Sequence, residues 1–249
     1  MLRFFGRGSA FADTQNCAFF TAGSELVLLD CPMSAFHRLR KLEFPQTQIT
    51  VVVTHTHGDH IGGIPMLIAL SQFVWKKPVT VIAPDQTVAD DLKFFIERLD
   101  GGDPDAYTLL TADAAEREWL CGAVPVRHVP GLAGRCYGYR LRIAGQDVIY
   151  TGDTAELEPF LPYLHRGAYL YTECAAHDTG VHLFIDDLLP KLRELKAGGV
   201  KIYLMHLDDE KVIREKIKGS GIRFAKLFRS VPAVPEPCSK VLRIRTEAE

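Results

Sequence analysis

Three histidines and an aspartate fall within six positions, His55 to His60, directly behind the apolar run "ITVVV" at 49–53. A run so rich in β-branched residues reads as a buried strand. Ligand-type side chains at the carboxyl end of a strand lie where an α/β scaffold builds its sites. Imidazole is the commonest side-chain metal ligand and suits zinc, manganese or iron. The bland alternative for "THTHGDHIGG" (54–63) is a polar loop that happens to be rich in histidine. The rest of the chain decides between the two.

Further apolar runs read as strands: "LRFFG", "CAFFTAG", "ELVLLDC", "VTVIAP", "VPVRHVP", "YGYRLRIAG", "DVIYTGD", "AYLYTEC" and "VKIYLMH". Two hairpins are expected, one turning at Gly23-Ser24 and one at Ala144-Gly145-Gln146. Helices are expected over 63–73, 86–99, 188–195 and 208–218. In the second, Val88, Leu92, Phe95 and Leu99 recur at helical spacing. "ELVLLDC" and "DVIYTGD" stand at corresponding points of two halves. No Gly/Ser linker divides the chain, so residues 1–249 read as a single domain of mixed sheets flanked by helices.

The chain is 47% hydrophobic and 24% charged, with a formal charge of -2, so bulk charge does not draw it to nucleic acid or membrane. Cys17, Cys31, Cys121, Cys136, Cys174 and Cys238 form no CxxC pair, which suits reduced thiols rather than a disulfide framework. No apolar stretch suits a signal peptide or a membrane span, and the expected location is the cytoplasm.

On an extended backbone His55 and His57 share a face and can grip one ion. Gly58 then lets the chain turn, so that Asp59 and His60 face a second position. Each ion needs one further histidine, and a carboxylate between them would hold them about 3.5–4 Å apart. His37, His128, His165, His177, His182 and His206 are the remaining histidines. His128 and His206 sit at strand ends, as does Asp153 within "TGDT", which favours them.

"THTHGDHIGG" resembles the HxHxDH signature of the metallo-β-lactamase superfamily, and His128, Asp153 and His206 follow in that superfamily's order. The resemblance implies a four-layer αβ/βα sandwich of two mixed β-sheets flanked by helices. It implies that His55, His57 and His128 hold one metal, that Asp59, His60 and His206 hold the other, and that Asp153 bridges. Two divalent ions are therefore expected, zinc first, with manganese or iron as alternatives. Asp59 also counts among the catalytic residues. Such a pair of ions activates a water as hydroxide and clamps the attacked oxygen.

"HVPGLAGRCYGYRL" followed by "IYTGDT" is similar to the ribonuclease Z-like branch, in which Gly138-Tyr139-Arg140 matches a "GYR" strand. The branch places a histidine between the bridging aspartate and the last ligand. His182 holds that place, with the implied role of hydrogen bonding a phosphate oxygen or protonating the leaving group. His177 competes for the role, and Glu173 is a candidate to orient one of them. Members that process transfer RNA carry a long Gly/Pro-rich arm. Here "LDGGDPDA" is only a turn in an acidic stretch, a poor surface for a polyanion. The basic run from Lys211 to Arg229 reads as a solvated helix face.

These features point to a phosphodiesterase acting on a small or cyclic phosphodiester, with nucleic acid disfavoured as partner. A carboxylic ester, lactone or thioester hydrolase on the same site is one alternative, and ribonuclease Z-like RNA processing another. An iron-dependent oxygen-using member or a non-catalytic metal-binding module fits the paired ligand set less well. The branch favours homodimers. The proline-rich "SVPAVPEPCSK" is expected to cover a sandwich edge.

Overall fold

A computed structural model describes residues 1–228 of the chain. The segment "SVPAVPEPCSK", Arg229 and Cys238 lie outside the described residues. The first sheet runs β1 (Arg3–Gly6), β2 (Cys17–Ala22), β3 (Glu25–Leu29), β4 (Gln48–Val52), β5 (Val79–Ala83), β6 (Thr108–Thr111), in that order. The second runs β7 (Leu120–Pro125), β8 (Tyr137–Ile143), β9 (Gln146–Tyr150), β10 (Tyr169–Cys174), β11 (Lys201–Leu207), β12 (Arg223–Phe224). In each sheet the first two pairings are antiparallel and the remaining three parallel. The halves repeat one pattern, with β3 and β9 as counterparts.

Alternation along the strands builds the layers. Leu26 and Leu28 of β3 and Val51 of β4 face outward. There they pack beneath α1 (Met33–Leu39), α3 (Ile64–Leu70) and α4 (Gln86–Lys93), through Leu39, Ile64, Leu67, Val88 and Leu92. Leu170, Ile202 and Leu204 of the second sheet do the same beneath α5 (Ile185–Ala197) and α6 (Glu210–Lys216). Between the sheets lie Phe4, Val27, Leu29 and Val52 from one side and Tyr139, Tyr150, Tyr171 and Met205 from the other. This is the helix–sheet–sheet–helix sandwich expected.

Both hairpins form as expected, with Ala22 opposite Glu25 and Ile143 opposite Gln146. Ala144 and Gly145 both take positive φ, the conformation a two-residue hairpin turn requires. The helix over 86–99 departs from simple periodicity. Its last residues, Phe94–Leu99, form a π-helical turn, which buries Ile96 and leaves Leu99 exposed, contrary to the spacing. Helix α1 and strands β6 and β12 have no sequence signal strong enough to be expected. The segment after Pro84 folds back as α4, β6 and β7, without a projecting arm. Among the described residues no helix is long and apolar enough to cross a membrane.

Candidate metal centre

The carboxyl ends of β3, β4, β9, β10 and β11 converge between the sheets, and each contributes to one cluster. Strand β4 ends at Val52, so His55 and His57 stand on the loop beyond it rather than on the strand. The turn that follows is made by the short helix α2 (Gly58–Ile61), with His57 as its N-cap residue. Gly58 takes no left-handed φ, and a Cβ there would meet nothing, so its freedom is not what turns the chain. His128 likewise lies on a loop, three residues beyond the end of β7. Asp153 follows Gly152, whose φ of 61° and close approach to the Tyr137 carbonyl, 2.6 Å from a notional Cβ, call for glycine. His206 lies within β11 at a β-bulge: Met205 pairs with Glu173 and Leu207 with Cys174, leaving His206 unpaired at φ 50°. The bulge re-aims its imidazole into the cluster.

Donor atoms converge in four overlapping groups. His55, His57 and His128 form one and Asp59, His60, Asp153 and His206 another, while His182 joins a third with His128 and Asp153 and a fourth with Glu173 and His206. His55 Nε2 lies 3.0 Å from His57 Nδ1. Asp153 Oδ2 stands between the first two groups, 3.1 Å from His206 Nε2 and 3.3 Å from His60 Nε2 on one side. It is 4.0 Å from both His55 Nε2 and His128 Nε2 on the other. Asp59 Oδ2 reaches His60 Nε2 at 3.3 Å and His206 Nε2 at 3.5 Å. The seven residues singled out from the sequence thus meet at one point.

The ring nitrogens facing away from the cluster are held by hydrogen bonds. Asp30 accepts from His60 Nδ1 at 2.8 Å, the Val181 carbonyl accepts from His128 Nδ1 at 2.8 Å, and Thr54 Oγ1 lies 3.0 Å from His55 Nδ1. Thr54 Oγ1 donates in turn to Asp30 Oδ2 at 2.9 Å, so that it accepts from His55. Each bond places the proton on Nδ1 and leaves the Nε2 lone pair for the centre. Asp30 was not among the residues picked from the sequence, nor was Thr54. The signal was present, since Asp30 closes the buried run "ELVLLD" as Asp153 closes "DVIYTGD".

Burial holds His55, His57 and His128 below the usual histidine range, which keeps their lone pairs free. Burial works against charge on His60 too, but Asp153 and Asp30 outweigh it and raise its pKa. Burial opposes ionisation of Asp153, yet the charges of His206 and His60 hold its carboxyl well below the ordinary range. His60 Nε2 and Asp153 Oδ1 are buried without a hydrogen-bond partner. Imidazoles and ionised carboxylates converging in a buried space, with orphaned polar atoms at its middle, make up the donor set of a divalent-metal site, at which a bound cation would take the place of the protons that the carboxylates favour on His60.

His182 sits beside this centre, its ring 4.8 Å from that of His128 and 5.3 Å from that of His206. Its Nδ1 donates to Glu173 Oε2 at 2.7 Å, leaving Nε2 as the free edge. Glu173 is fully buried on β10 and also accepts from the Thr154 backbone N–H. Burial pushes the Glu173 carboxyl up. Burial also penalises a charged His182, but the hydrogen bond and charge of Glu173 outweigh it and hold the ring at about 9. His177 is exposed and outside the cluster, as are His37 and His165, the latter paired with Asp147 at 2.9 Å. A cavity of about 530 Å³ opens beside His128, lined by Arg127, Glu156 and Val181, and one of about 290 Å³ beside His182. These volumes suit a small ligand.

Comparison with known proteins agrees with this architecture. The crystal structure of the metallo-β-lactamase fold protein YhfI from Bacillus subtilis matches with a TM-score of 0.71 at 18% identity, over 94% of this chain and 98% of that one. The human short-form tRNase Z, ELAC1, matches with a TM-score of 0.66 at 16% identity, over 93% and 99%. The fold is therefore that of the metallo-β-lactamase proteins, ribonuclease Z-like members included. The family model for Anti-Pycsar protein Apyc1 matches residues 1–103. The Anti-Pycsar protein Apyc1 of Paenibacillus xerothermodurans is 38% identical over 230 residues, covering 84% of this chain and 88% of the relative. With that identity over most of both chains, the chain belongs to the family of the Anti-Pycsar protein Apyc1.

Proposed function

We propose that the protein hydrolyses a small or cyclic phosphodiester, with His182 giving the proton that the leaving oxygen needs. The protein is a metal-dependent phosphodiesterase, a class that its family and its buried donor set both support. His55, His57 and His128 are proposed to hold one ion, Asp59, His60 and His206 the second, with Asp153 shared. Zinc suits this mixture of imidazole and carboxylate, with manganese or iron as alternatives. Ions held there supply Lewis acidity, lowering the pKa of water and offsetting charge that builds on the phosphoryl oxygens.

The chain's own residues do the rest. Asp30, Thr54 and the Val181 carbonyl fix the ligand tautomers, and Glu173 holds His182 protonated with Nε2 free. The observation that carries the phosphodiester reading is the His182–Glu173 pair beside the cluster, at 2.7 Å. An alkoxide leaving group gains from such an acid, whereas ester, lactone or thioester cleavage can proceed without it. A small substrate fits better than RNA because the segment after Pro84 exposes Asp90, Asp100, Asp103 and Asp105.

Because the ligand set draws on both sheets, residues 1–249 are proposed to work as one domain. We place it in the cytoplasm as a homodimer, with Phe73, Phe94 and Leu99 exposed on the helical face available for pairing. Sedimentation gives the oligomeric state directly. The decisive experiment is turnover of bis(p-nitrophenyl) phosphate and 2′,3′-cyclic nucleotides by metal-loaded protein, beside a lactone and thioester panel. Phosphodiester turnover that collapses in His182→Ala is the expected result. Lactone or thioester turnover indifferent to His182, with no phosphodiester cleavage, would replace it with the ester-hydrolase reading.

A further inference from the structure

His206 differs from other imidazoles of the centre in how its ring is held. His55, His60 and His128 each have a hydrogen bond at Nδ1. Among the described residues none reaches Nδ1 of His206, while its Nε2 faces Asp153 at 3.1 Å and Asp59 at 3.5 Å. The ring lies near those of His60 and His182, with centroids 5.5 and 5.3 Å away, and ring contacts of that kind fix no proton. The aim of the imidazole therefore depends on its backbone, which is a bulge at a left-handed φ of 50°. A residue other than glycine persists in that region where its surroundings over-determine it.

Part of that determination comes from the N-terminal strand. Beyond β1 the chain stays alongside β11. Leu207 N–H donates to the Arg7 carbonyl at 2.8 Å, and Ser9 N–H donates to the Leu207 carbonyl at 2.9 Å. Both backbone polar groups of the residue after His206 thus bond to residues 7–9. Arg7 is fastened in turn by its side chain. Its Nε donates to Glu210 Oε2 at 3.0 Å and its Nη2 to Glu210 Oε1 at 2.8 Å, while Nη1 donates to the Ala225 carbonyl at 2.6 Å. The guanidinium lies 5.1 Å from the centre of the Phe224 ring, and the side chain is only 17% exposed. A two-point Arg–carboxylate pair fixes angle as well as distance. Glu210 opens α6 three residues after Leu207, and Ala225 follows β12 directly. One side chain therefore ties the start of α6 and the end of β12 to the backbone that holds Leu207. On the opposite side Asp208 accepts from the Ala176 N–H at 2.7 Å, which anchors the same segment toward β10.

We propose that Arg7, through its bidentate pair with Glu210, is a positioning residue for His206 and sets the affinity of the half-site that His206 forms with Asp59 and His60. The inference rests on the two-ion reading of the centre and adds to it a device outside the ligand set. Arg7 reaches the cluster only through Leu207. Without the pair, residues 7–9 and the start of α6 shift independently. The bulge then keeps only its anchor toward β10, and Nε2 of His206 leaves its place beside Asp153.

The test is competitive zinc titration of metal-free protein, with a urea midpoint measured on each variant. Arg7→Ala and Glu210→Ala should each weaken one zinc step on the order of tenfold and leave the other within about twofold of wild type. The double variant should be no weaker than either single one, because the two residues act as a unit. Arg7→Lys keeps the charge and one contact, and should recover part of the affinity. Arg117→Ala removes a comparable pair, 3.0 Å from Glu25 at the opposite end of the sandwich. It should lower the urea midpoint and leave both zinc steps unchanged. Equal weakening of both steps by Arg7→Ala, or weakening of either by Arg117→Ala, would make the effect one of global stability and overturn the assignment. Wild-type zinc steps in Arg7→Ala would overturn it as well. So would weakening in Arg7→Ala with none in Glu210→Ala, which would give the role to the Ala225 carbonyl. If Arg7→Ala does not fold, Glu210→Ala and Arg7→Lys decide by the same criteria. A wild type that takes up fewer than two zinc ions removes the two-ion reading itself, a result separate from any difference among variants.

Discussion

Asp30→Asn separates an orienting carboxylate from a merely buried one. Asp30 is wholly buried and engages three groups: the Thr54 backbone N–H at 2.8 Å, the Thr54 hydroxyl at 2.9 Å and His60 Nδ1 at 2.8 Å. Asparagine has the same shape, so its carbonyl oxygen can keep the Thr54 N–H. Its amide then faces His60 as a donor. His60 must answer with an Nδ1 lone pair, which moves the ring proton to Nε2 and points it at Asp59 and Asp153. A protonated Nε2 cannot ligate. Loss of an outer partner of this kind costs about 10–100-fold in metal affinity, or about 1.4–2.7 kcal/mol. The loss should fall on the half-site of His60, because His55 is reached only through Thr54. Competitive titration of metal-free protein with zinc and a chelating dye should show two steps, with only one of them displaced in the variant. Phosphodiester turnover at limiting zinc should fall and recover with excess zinc. Two wild-type binding steps with wild-type turnover would refute the tautomer argument.

Other outcomes follow from the same geometry. His182→Ala should lower kcat by about 10²–10⁴ while the protein still binds its full complement of metal, read by metal analysis beside turnover. Because the His182 pKa is raised to about 9, the protonated ring persists through neutral pH and is lost as pH rises through that value. Glu173→Gln should therefore shift the alkaline limb of the rate profile to lower pH; an unmoved limb would remove Glu173 from that role. Chelation should abolish turnover and lower Tm, since ions that bind only the folded state stabilise it by mass action, and differential scanning calorimetry with and without zinc measures this. Gly152→Ala, at φ 61° and facing the Tyr137 carbonyl, should destabilise by about 1–3 kcal/mol and displace Asp153, visible as lowered urea midpoint and metal affinity together.

Most of the candidate centre was legible because its proposed ligands are dense in one place and strand-terminal elsewhere. His55, His57, Asp59 and His60 declare themselves, and His128, Asp153 and His206 each close an apolar run. What was not legible is how the backbone delivers them. His55 and His57 lie past the end of β4, on backbone that is still extended at His57 (φ -64°, ψ 147°), so it is the loop beyond the strand and not the strand itself that presents them. Likewise α2, not a glycine's freedom, carries Asp59 and His60 into place. The bulge at His206 has no local signature, because it depends on a register mismatch between β10 and β11 that only strand pairing creates. Leu99 was expected on a buried face and is exposed, because a π turn adds a residue to the helical repeat. Periodicity therefore reports elements well and side-chain aim poorly wherever the regular repeat breaks.

The repeat of pairing between the two sheets explains why Asp30 escaped notice and why it should not have. Strands β3 and β9 occupy the same place in their sheets, antiparallel to one neighbour and parallel to the other. Each is followed by a left-handed residue, Asp30 at φ 61° and Gly152 at φ 61°. A left-handed turn at that point swings the next side chain off the sheet and toward the gap between the sheets. In the first half the aspartate is itself the left-handed residue, and it lands behind the imidazoles as their acceptor. In the second half glycine takes the strained position, and Asp153, one residue later, lands among the Nε2 atoms. Asp30 stands one residue beyond β3 and Asp153 three beyond β9, and relative to the left-handed residue they differ by one position, which divides two buried aspartates into a proposed ligand and a proposed ligand-orienting group. Exchanging their roles would require moving the left-handed position, not the carboxylate. Substitutions at Asp153 should accordingly disturb both half-sites, whereas those at Asp30 disturb chiefly the half-site of His60.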